Sequence, residues 1–444
     1  MRESLVSRQE RFAMRSNVRE FSRRAFLSRS TALLALPSFI PGLVSASPAE
    51  RLVVGHVGIG GRGGSLLGMT RGNSRIEVGA LCDVDKAHLD RARKAAGGEP
   101  QTASDYRKLL DNKSLDGIVL AAPDHWHATI TIAACRAGKH VYCEKPLSHN
   151  IVEGREAVKA ARRYDRMVQV GIHHRSSEYV RHIVRLVRGG SIGRVHAVKS
   201  WMWTNKVEKK TPPPGKIPAS LDYDFWLGPA PEAVYHPSRV HYNFRWCSDY
   251  AGGYMTDWGV HMFNVITFAM GIDHKGPESV EAQGTWDKNN IYDFPVSMKA
   301  RWEFKDPDFT LSWDQPGKGG DVLPGELYGI TFYGEDGELR TGFGTGKCRF
   351  YRDGKEAPLP REPASVDVPE SPGHMQNWAD SIRRRELPIA DVEIGHRTTS
   401  LCLLGNIALS VGRKLRWDCH SERFFGDPQA DALLGRESRE RYRI

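Results

Sequence analysis

Cysteine is scarce and unpatterned in this chain of 444 residues. The seven, at positions 82, 135, 143, 247, 348, 402 and 419, form no Cys-x-x-Cys pair and no zinc spacing. Most stand in apolar contexts such as Ala80-Leu81-Cys82 and Val141-Tyr142-Cys143, where cysteine acts as a small core residue. We therefore expect no disulfide framework and no bound metal. The apolar run from Thr31 to Val44 is broken by Pro37 and Pro41 and is too short for a ~30 Å hydrocarbon core, so no stable membrane anchor is expected from it. Internal repeats and low-complexity tracts are missing too. Nor is there a concentrated basic surface. Of the formal charge of +10, half comes from residues 1–46, which hold eight Arg and no Lys against three Glu. The rest is spread along the chain, so nucleic acid is not an expected partner. What remains, at 40% apolar and 26% charged, is an ordinary globular composition with chain enough for two or three domains.

The first 46 residues read as an address. Ser22-Arg23-Arg24-Ala25-Phe26-Leu27 precedes the weak apolar run, which ends in the small residues Val44-Ser45-Ala46. This order resembles a bacterial twin-arginine export signal. It implies use of the twin-arginine machinery and an exported, periplasmic destination. No Cys follows the run, so a lipoprotein anchor is not expected.

From Arg51 the chain alternates strand and helix. Leu52 to Val57, Ile76 to Cys82, Asp116 to Pro123 and His140 to Cys143 read as buried strands, with helical stretches between them. Such alternation argues for a parallel sheet with crossover helices. Gly58, Gly60 and Gly63 form a Gly-x-Gly-x-x-Gly loop after a strand and before a helix. Glycine is needed there because the turn is tight and a pyrophosphate must approach the backbone closely. Asp83, at the end of the second strand, is placed to bind the ribose hydroxyls. Val84 follows, where an NADP enzyme often carries Arg, so NAD is favoured and NADP left open. Beyond residue 173 the alternation gives way to strand-like runs: Val195 to Trp203, Ser279 to Trp286, Val296 to Phe304, Phe309 to Trp313 and Tyr328 to Tyr333. Gly334-Glu335-Asp336-Gly337 reads as a hairpin turn. A glycine- and proline-rich insertion occupies residues 211–231.

Glu144-Lys145-Pro146 at the end of the fourth strand resembles the Gfo/Idh/MocA oxidoreductases. So do Pro123-Asp124-His125-Trp126-His127, Val170-Gly171-Ile172-His173-His174-Arg175, Gly189-Gly190-Ser191-Ile192-Gly193, and Gly252-Gly253-Tyr254-Met255-Thr256-Asp257-Trp258-Gly259-Val260-His261. The resemblance covers nearly all of residues 51–420. It implies an α/β fold: an N-terminal Rossmann dinucleotide-binding domain (51–173), then a C-terminal α/β substrate and oligomerisation domain (174–425) with a large open, mostly antiparallel sheet. A charged tail (426–444), loose or in an oligomer contact, completes the chain. The family's sheet often pairs between subunits, which implies a homo-oligomer whose exposed sheet face is covered.

The resemblance further implies an NAD held by Gly58, Gly60, Gly61, Arg62, Gly63, Asp83, Pro123, His127, Glu144 and Lys145. Export implies that it is tightly bound, since free NAD is not expected outside the cytoplasm. Oxidising a secondary alcohol needs a base, a charge beside the developing alkoxide, and a hydride acceptor. His261 suits the base because imidazole titrates near neutrality. Asp257, four residues earlier, would share its helix face and orient the ring or bind a hydroxyl. Lys145 would polarise the substrate oxygen. His173, His174, Arg175, Tyr242, Asn243, Arg245 and Trp246 are candidate substrate contacts, with aromatic faces for sugar rings and polar groups for hydroxyls. Asn264 stands where the family often has a second acid, and can bind a hydroxyl without a charge. The function implied is hydride transfer with a sugar, cyclitol or glycoside. The alternatives are glycoside cleavage through transient C3 oxidation, or a non-catalytic sugar or nucleotide sensor.

Overall fold

A computed structural model describes residues 51–443 apart from 204, 210–212, 319–321 and 364–365. The segment read as an export signal, residues 1–46, lies outside the described residues. Apolar runs and glycine breaks build the first domain. Its elements are β1 (Leu52–Val57), α1 (Gly61–Arg71), β2 (Ile76–Cys82), α2 (Lys86–Ala96), β3 (Gln101–Ala103), α3 (Arg107–Asp111), β4 (Gly117–Leu120), α4 (Asp124–Arg136), β5 (His140–Cys143), α5 (Ile151–Arg163) and β6 (Val168–Val170). The strands are all parallel, in the order β3-β2-β1-β4-β5-β6. β4 and β5 are buried along their whole length, as expected of strands covered on both faces. β3 and α3 were not legible in the sequence. β3 is three residues long with Gln101 and Thr102 exposed, so it has no apolar pattern and exists through its pairing with β2.

The second domain adds α6 (Glu178–Arg188), β7 (Val195–Trp201), α7 (Tyr223–Leu227), α8 (Val260–Met270), β8 (Ser279–Thr285), β9 (Ser297–Lys305), β10 (Asp308–Gln315), β11 (Gly329–Gly334), β12 (Gly337–Gly342), β13 (Cys348–Arg352), β14 (Lys355–Ala357), α9 (His374–Arg384), α10 (Val392–Val411), β15 (Leu415–Asp418) and β16 (Arg423–Phe424). Its ten-stranded sheet runs β14-β13-β12-β11-β7-β10-β9-β8-β15-β16. β7 and β10 pair in parallel, and the other pairs are antiparallel. The period-two pattern of β9 separates the faces. Met298, Ala300, Trp302 and Phe304 are buried, and Trp302 meets Phe263 of α8 edge-on at 5.0 Å. The opposite face carries Lys299 and Arg301 of β9 and a Lys199–Asp314 ion pair at 3.2 Å. That face is polar, so it does not supply the apolar surface that would by itself demand a covering subunit.

The chain then returns to the first domain. Trp378 of α9 is fully buried against the Rossmann sheet, where a Cβ on Gly117 would lie 3.1 Å from its ring. The tail is docked rather than loose. Tyr442 is buried and meets Trp126 edge-on at 5.1 Å, and Arg439 Nε donates to the Gly228 carbonyl at 2.7 Å. All seven cysteines are free. Among the described residues no helix is long and apolar enough to cross a membrane.

Candidate active site

The glycine loop turns sharply out of β1. Gly58 has φ +75°, and a Cβ there would sit 2.5 Å from the Ala122 nitrogen. A Cβ on Gly63 would fall 1.9 Å from the Gly58 carbonyl oxygen, so α1 closes onto the loop only without a side chain. In front of Gly61 there is open space, at the N-terminus of an 11-residue helix with no side-chain cap. Its free N–H groups and positive dipole end suit a pyrophosphate. Asp83 is fixed by the backbone, accepting from Ile59 N at 2.8 Å and Asp85 N at 2.9 Å, and it lines the cleft. The residues present therefore fit a dinucleotide.

The cleft runs from Asp83 and His88 past Ala122 and Pro123 to Lys145 and Asp257. Phe225 of the insertion and Tyr242, Phe244 and Arg245 of the segment after it also line it. Two backbone bonds hold the insertion to the Rossmann domain: Asp222 N to Val84 O at 3.0 Å, and Lys86 N to Ser220 O at 2.8 Å. Arg62 and Glu144 form an ion pair at 2.8 Å that ties the glycine loop to the Glu-Lys-Pro turn. His127 sets its ring nitrogens 2.6 Å from the Pro146 carbonyl and 2.7 Å from that of Ala122, so it braces both turns from beneath.

At the far end, Lys145 Nζ donates to Asp257 Oδ1 at 2.6 Å and Arg245 Nε approaches the same oxygen at 3.3 Å. Burial alone would raise the Asp257 pKa, but the Lys145 and Arg245 charges hold it below the usual carboxylate range. Asp257 lies on a π-helical turn, Met255–Gly259, that runs into α8. The expectation that it orients His261 needs correction. Its carboxylate is bonded to Lys145 and Arg245, while His261 Nδ1 is buried without a hydrogen-bond partner. Burial, then the Lys145 charge, push the His261 pKa well below the ordinary value and keep the ring neutral. His173 and His174 pack on His261 at 5.1 and 5.2 Å.

Of the other expected substrate contacts three are turned away, and Asn243, His173 and His174 do not line the cleft. Arg175 is buried, its guanidinium bonded to Asn264 Oδ1 at 2.9 Å and paired with Asp273. That bond also withdraws Asn264, which is fully buried. Trp246 is buried among Tyr242, Tyr254 and Tyr292 as a loop anchor. Asn243 accepts from Lys206 Nζ at 3.2 Å and does not line the cleft, whereas Tyr242 and Arg245 do.

Several site residues escaped the sequence reading. Asp124, at the start of α4, lines the cleft, and burial pushes its pKa up to about 7. Beside His261 stands Trp258, 4.6 Å from Tyr328, which stacks parallel to Phe343. Tyr328 and Phe343 come from loops far along the chain, and only the aromatic at 258 lay within a recognised segment. His88 and His241 meet at 4.5 Å beside Asp83 and Asp85, across two domains.

Comparison with known proteins agrees with this architecture. Residues 52–172 match the profile of an oxidoreductase family's NAD-binding Rossmann fold, and residues 178–304 and 329–444 match that family's C-terminal α/β domain. The inositol 2-dehydrogenase of Salmonella typhimurium is 30% identical over 145 residues, covering 32% of this chain and 43% of that protein. The α-N-acetylgalactosaminidase of Shewanella oneidensis is 29% identical over 164 residues, 35% of each chain. The match thus spans less than half the length of these curated relatives. The WlbA dehydrogenase of Bordetella pertussis, solved with NADH and UDP-GlcNAcA, superposes with a TM-score of 0.62 at 18% identity, over 83% of this chain and 99% of that one. The chain belongs to the Gfo/Idh/MocA oxidoreductase family, with its NAD-binding Rossmann domain and its C-terminal α/β domain both present.

Proposed function

We propose that this protein transfers a hydride between NAD and a secondary hydroxyl of a sugar, cyclitol or glycoside. The observation that carries the reading is Lys145 bonded to Asp257 at the end of a dinucleotide cleft, with His261, four residues on, held neutral by burial and by the Lys145 charge. Bound in that cleft, the nicotinamide supplies the hydride acceptor. The chain's own residues do the rest. Lys145, fixed by Asp257, directs its ammonium at the substrate oxygen and stabilises charge as the O–H bond breaks. His261 takes the hydroxyl proton on its neutral ring. Arg62 and Glu144 fix the two turns that face the reacting atoms. The test is absorbance at the reduced-nicotinamide band with a panel of sugars, cyclitols and glycosides. Activity lost in both Lys145→Ala and His261→Ala, with NAD still bound, supports the site. Unchanged turnover in both refutes it.

A second reading is glycoside cleavage through transient oxidation at C3, in which NAD is restored within each turnover. Asp124 favours it, because a carboxyl with a pKa of about 7 can exchange the further protons that elimination requires. Release of p-nitrophenol from nitrophenyl glycosides with no net nicotinamide reduction separates it from the first. We also propose export by the twin-arginine route, on the strength of Ser22 to Leu27, with the cofactor loaded beforehand. The insertion bonded to the β2–α2 turn supports a cofactor held through many turnovers. Denaturing the purified mature protein should release close to one nucleotide per chain.

A further inference from the structure

At the end of the cleft that holds Asp83, the β2–α2 turn meets the segment that follows the insertion. Asp85, His88 and His241 converge there, and their candidate ligand atoms all lie within 4.8 Å of one another. We propose that these three residues bind a divalent cation of the zinc class and that the ion fastens the segment carrying His241 to the Rossmann domain over the nucleotide.

The donor chemistry supports this assignment. Two imidazoles and a carboxylate, with one position left for water, form a common zinc set and a poor one for magnesium or calcium, which prefer oxygen ligands alone. The surrounding contacts orient the donors as supporting groups do at metal sites. Asp85 Oδ1 accepts from Ala87 N at 2.8 Å as the cap of α2, which fixes the carboxylate and leaves Oδ2 to face the imidazoles. His88 Nδ1 lies 3.5 Å from Asp83 Oδ2, so a proton held on Nδ1 leaves the Nε2 lone pair for a metal. His241 Nε2 already points at Asp85 Oδ2, 2.9 Å away and 156 residues apart in sequence. A cation would take the place of the proton in that contact, while the ring keeps its proton on Nδ1. Access is available too: the His241 side chain is 37% exposed, against 8% for Asp85.

The proposal does not depend on the redox chemistry. The mature protein, stripped with a chelator, would be titrated with Zn²⁺ alone by equilibrium dialysis and with Co²⁺ by visible absorption. One Zn²⁺ per chain is expected, with a Co²⁺ spectrum of nitrogen and oxygen ligation and a raised thermal midpoint. Because changing groups that merely support a metal costs roughly 10–100-fold in affinity, removing a ligand in His88→Gln or His241→Gln should weaken zinc by about a hundredfold or more. Glutamine in place of His241 can keep the hydrogen bond to Asp85, so folded variants are expected and circular dichroism would verify them. Absence of saturable zinc binding, or binding that survives in both variants, would overturn the site. A thiolate charge-transfer band with Co²⁺ would overturn it as well, since it would assign the ion to cysteine.

Discussion

Lys145 Nζ lies 2.7 Å from the backbone carbonyl and 2.6 Å from the carboxylate of Asp257, so one ammonium joins the Rossmann domain to the C-terminal domain by two short hydrogen bonds. This arrangement divides the labour differently from a carboxylate–histidine pair. Asp257 aims the lysine, and the histidine is tuned by burial and by the lysine's charge. Lys145→Ala should therefore lower kcat by roughly 10³-fold, the scale of losing a positioned charge at a developing oxyanion. Asp257→Asn should cost roughly 10–100-fold, because a neutral amide aims the lysine less firmly than a charge-assisted bond. Steady-state kinetics with NAD affinity measured separately checks both. A larger loss in Asp257→Asn than in Lys145→Ala would refute this order of roles.

His261 should stay unprotonated well below the ordinary histidine range, because burial and neighbouring positive charge disfavour the imidazolium. The acid limb of its titration, followed by its ring proton shifts in NMR, should show this directly. In Lys145→Met the largest cause, burial, persists while one cationic neighbour is gone, so the limb should move upward yet stay depressed. An ordinary pKa in the parent protein would remove the account of how this ring is kept neutral.

Much of this centre was legible in the sequence, because its residues sit in short segments with fixed spacing. Gly58 to Gly63, Asp83 and Lys145 all fall at the ends of strands whose apolar runs are unmistakable. What the sequence could not show is which way a side chain turns. Arg175 follows His173 and His174 directly, yet a 3-10 turn at His173–Ser176 sends it inward to Asn264 and Asp273 while the two histidines face His261. Asp257 and His261 are four apart, but the π-helical turn alters the angular step that places helical neighbours on one face. Residues such as Tyr328 and Phe343 are brought in by tertiary packing and carry no local signal at all.

Arg175 supplies a clean contrast with the cleft residues. Its guanidinium is buried, lies 4.2 Å above the Phe268 ring and is bonded to Asn264 and Asp273. Arg175→Met should destabilise the fold by about 3–5 kcal/mol, the cost of breaking one side of a buried pair. KM at permissive temperature should be unchanged. A raised KM with unchanged unfolding in urea would return Arg175 to the substrate site.

The docked tail should matter to the nucleotide. Arg439 donates to the Gly228 carbonyl and Tyr442 packs on Trp126 and Phe225, two aromatic residues that line the cleft. Ending the chain at Phe425 should loosen the wall around the cofactor and speed NAD release at least several-fold, read by fluorescence of the bound reduced form. Tyr442→Ala should produce a smaller change in the same direction. Identical release rates in parent and truncated chains would show that the tail only covers surface.

Acid should unfold this protein early, and the sign follows from its buried histidines. His56 lies in β1 without a partner for Nε2, and burial lowers its pKa to about 3. The unfolded chain takes up a proton near pH 6.5, and the folded chain does not until about pH 3. Stability is therefore full above pH 6.5 and falls as pH drops, since the unfolded state binds more protons throughout that window. At pH 5 a single such histidine costs about 2 kcal/mol. His149 and His374, also lowered to about 3 by burial, act in the same direction, so the losses accumulate. Urea unfolding between pH 8 and 5 should show a falling midpoint, and His56→Gln, which cannot titrate, should have a shallower fall than the parent. Equal slopes in the two proteins would mean that His56 is protonated in the folded state or never carries the linkage.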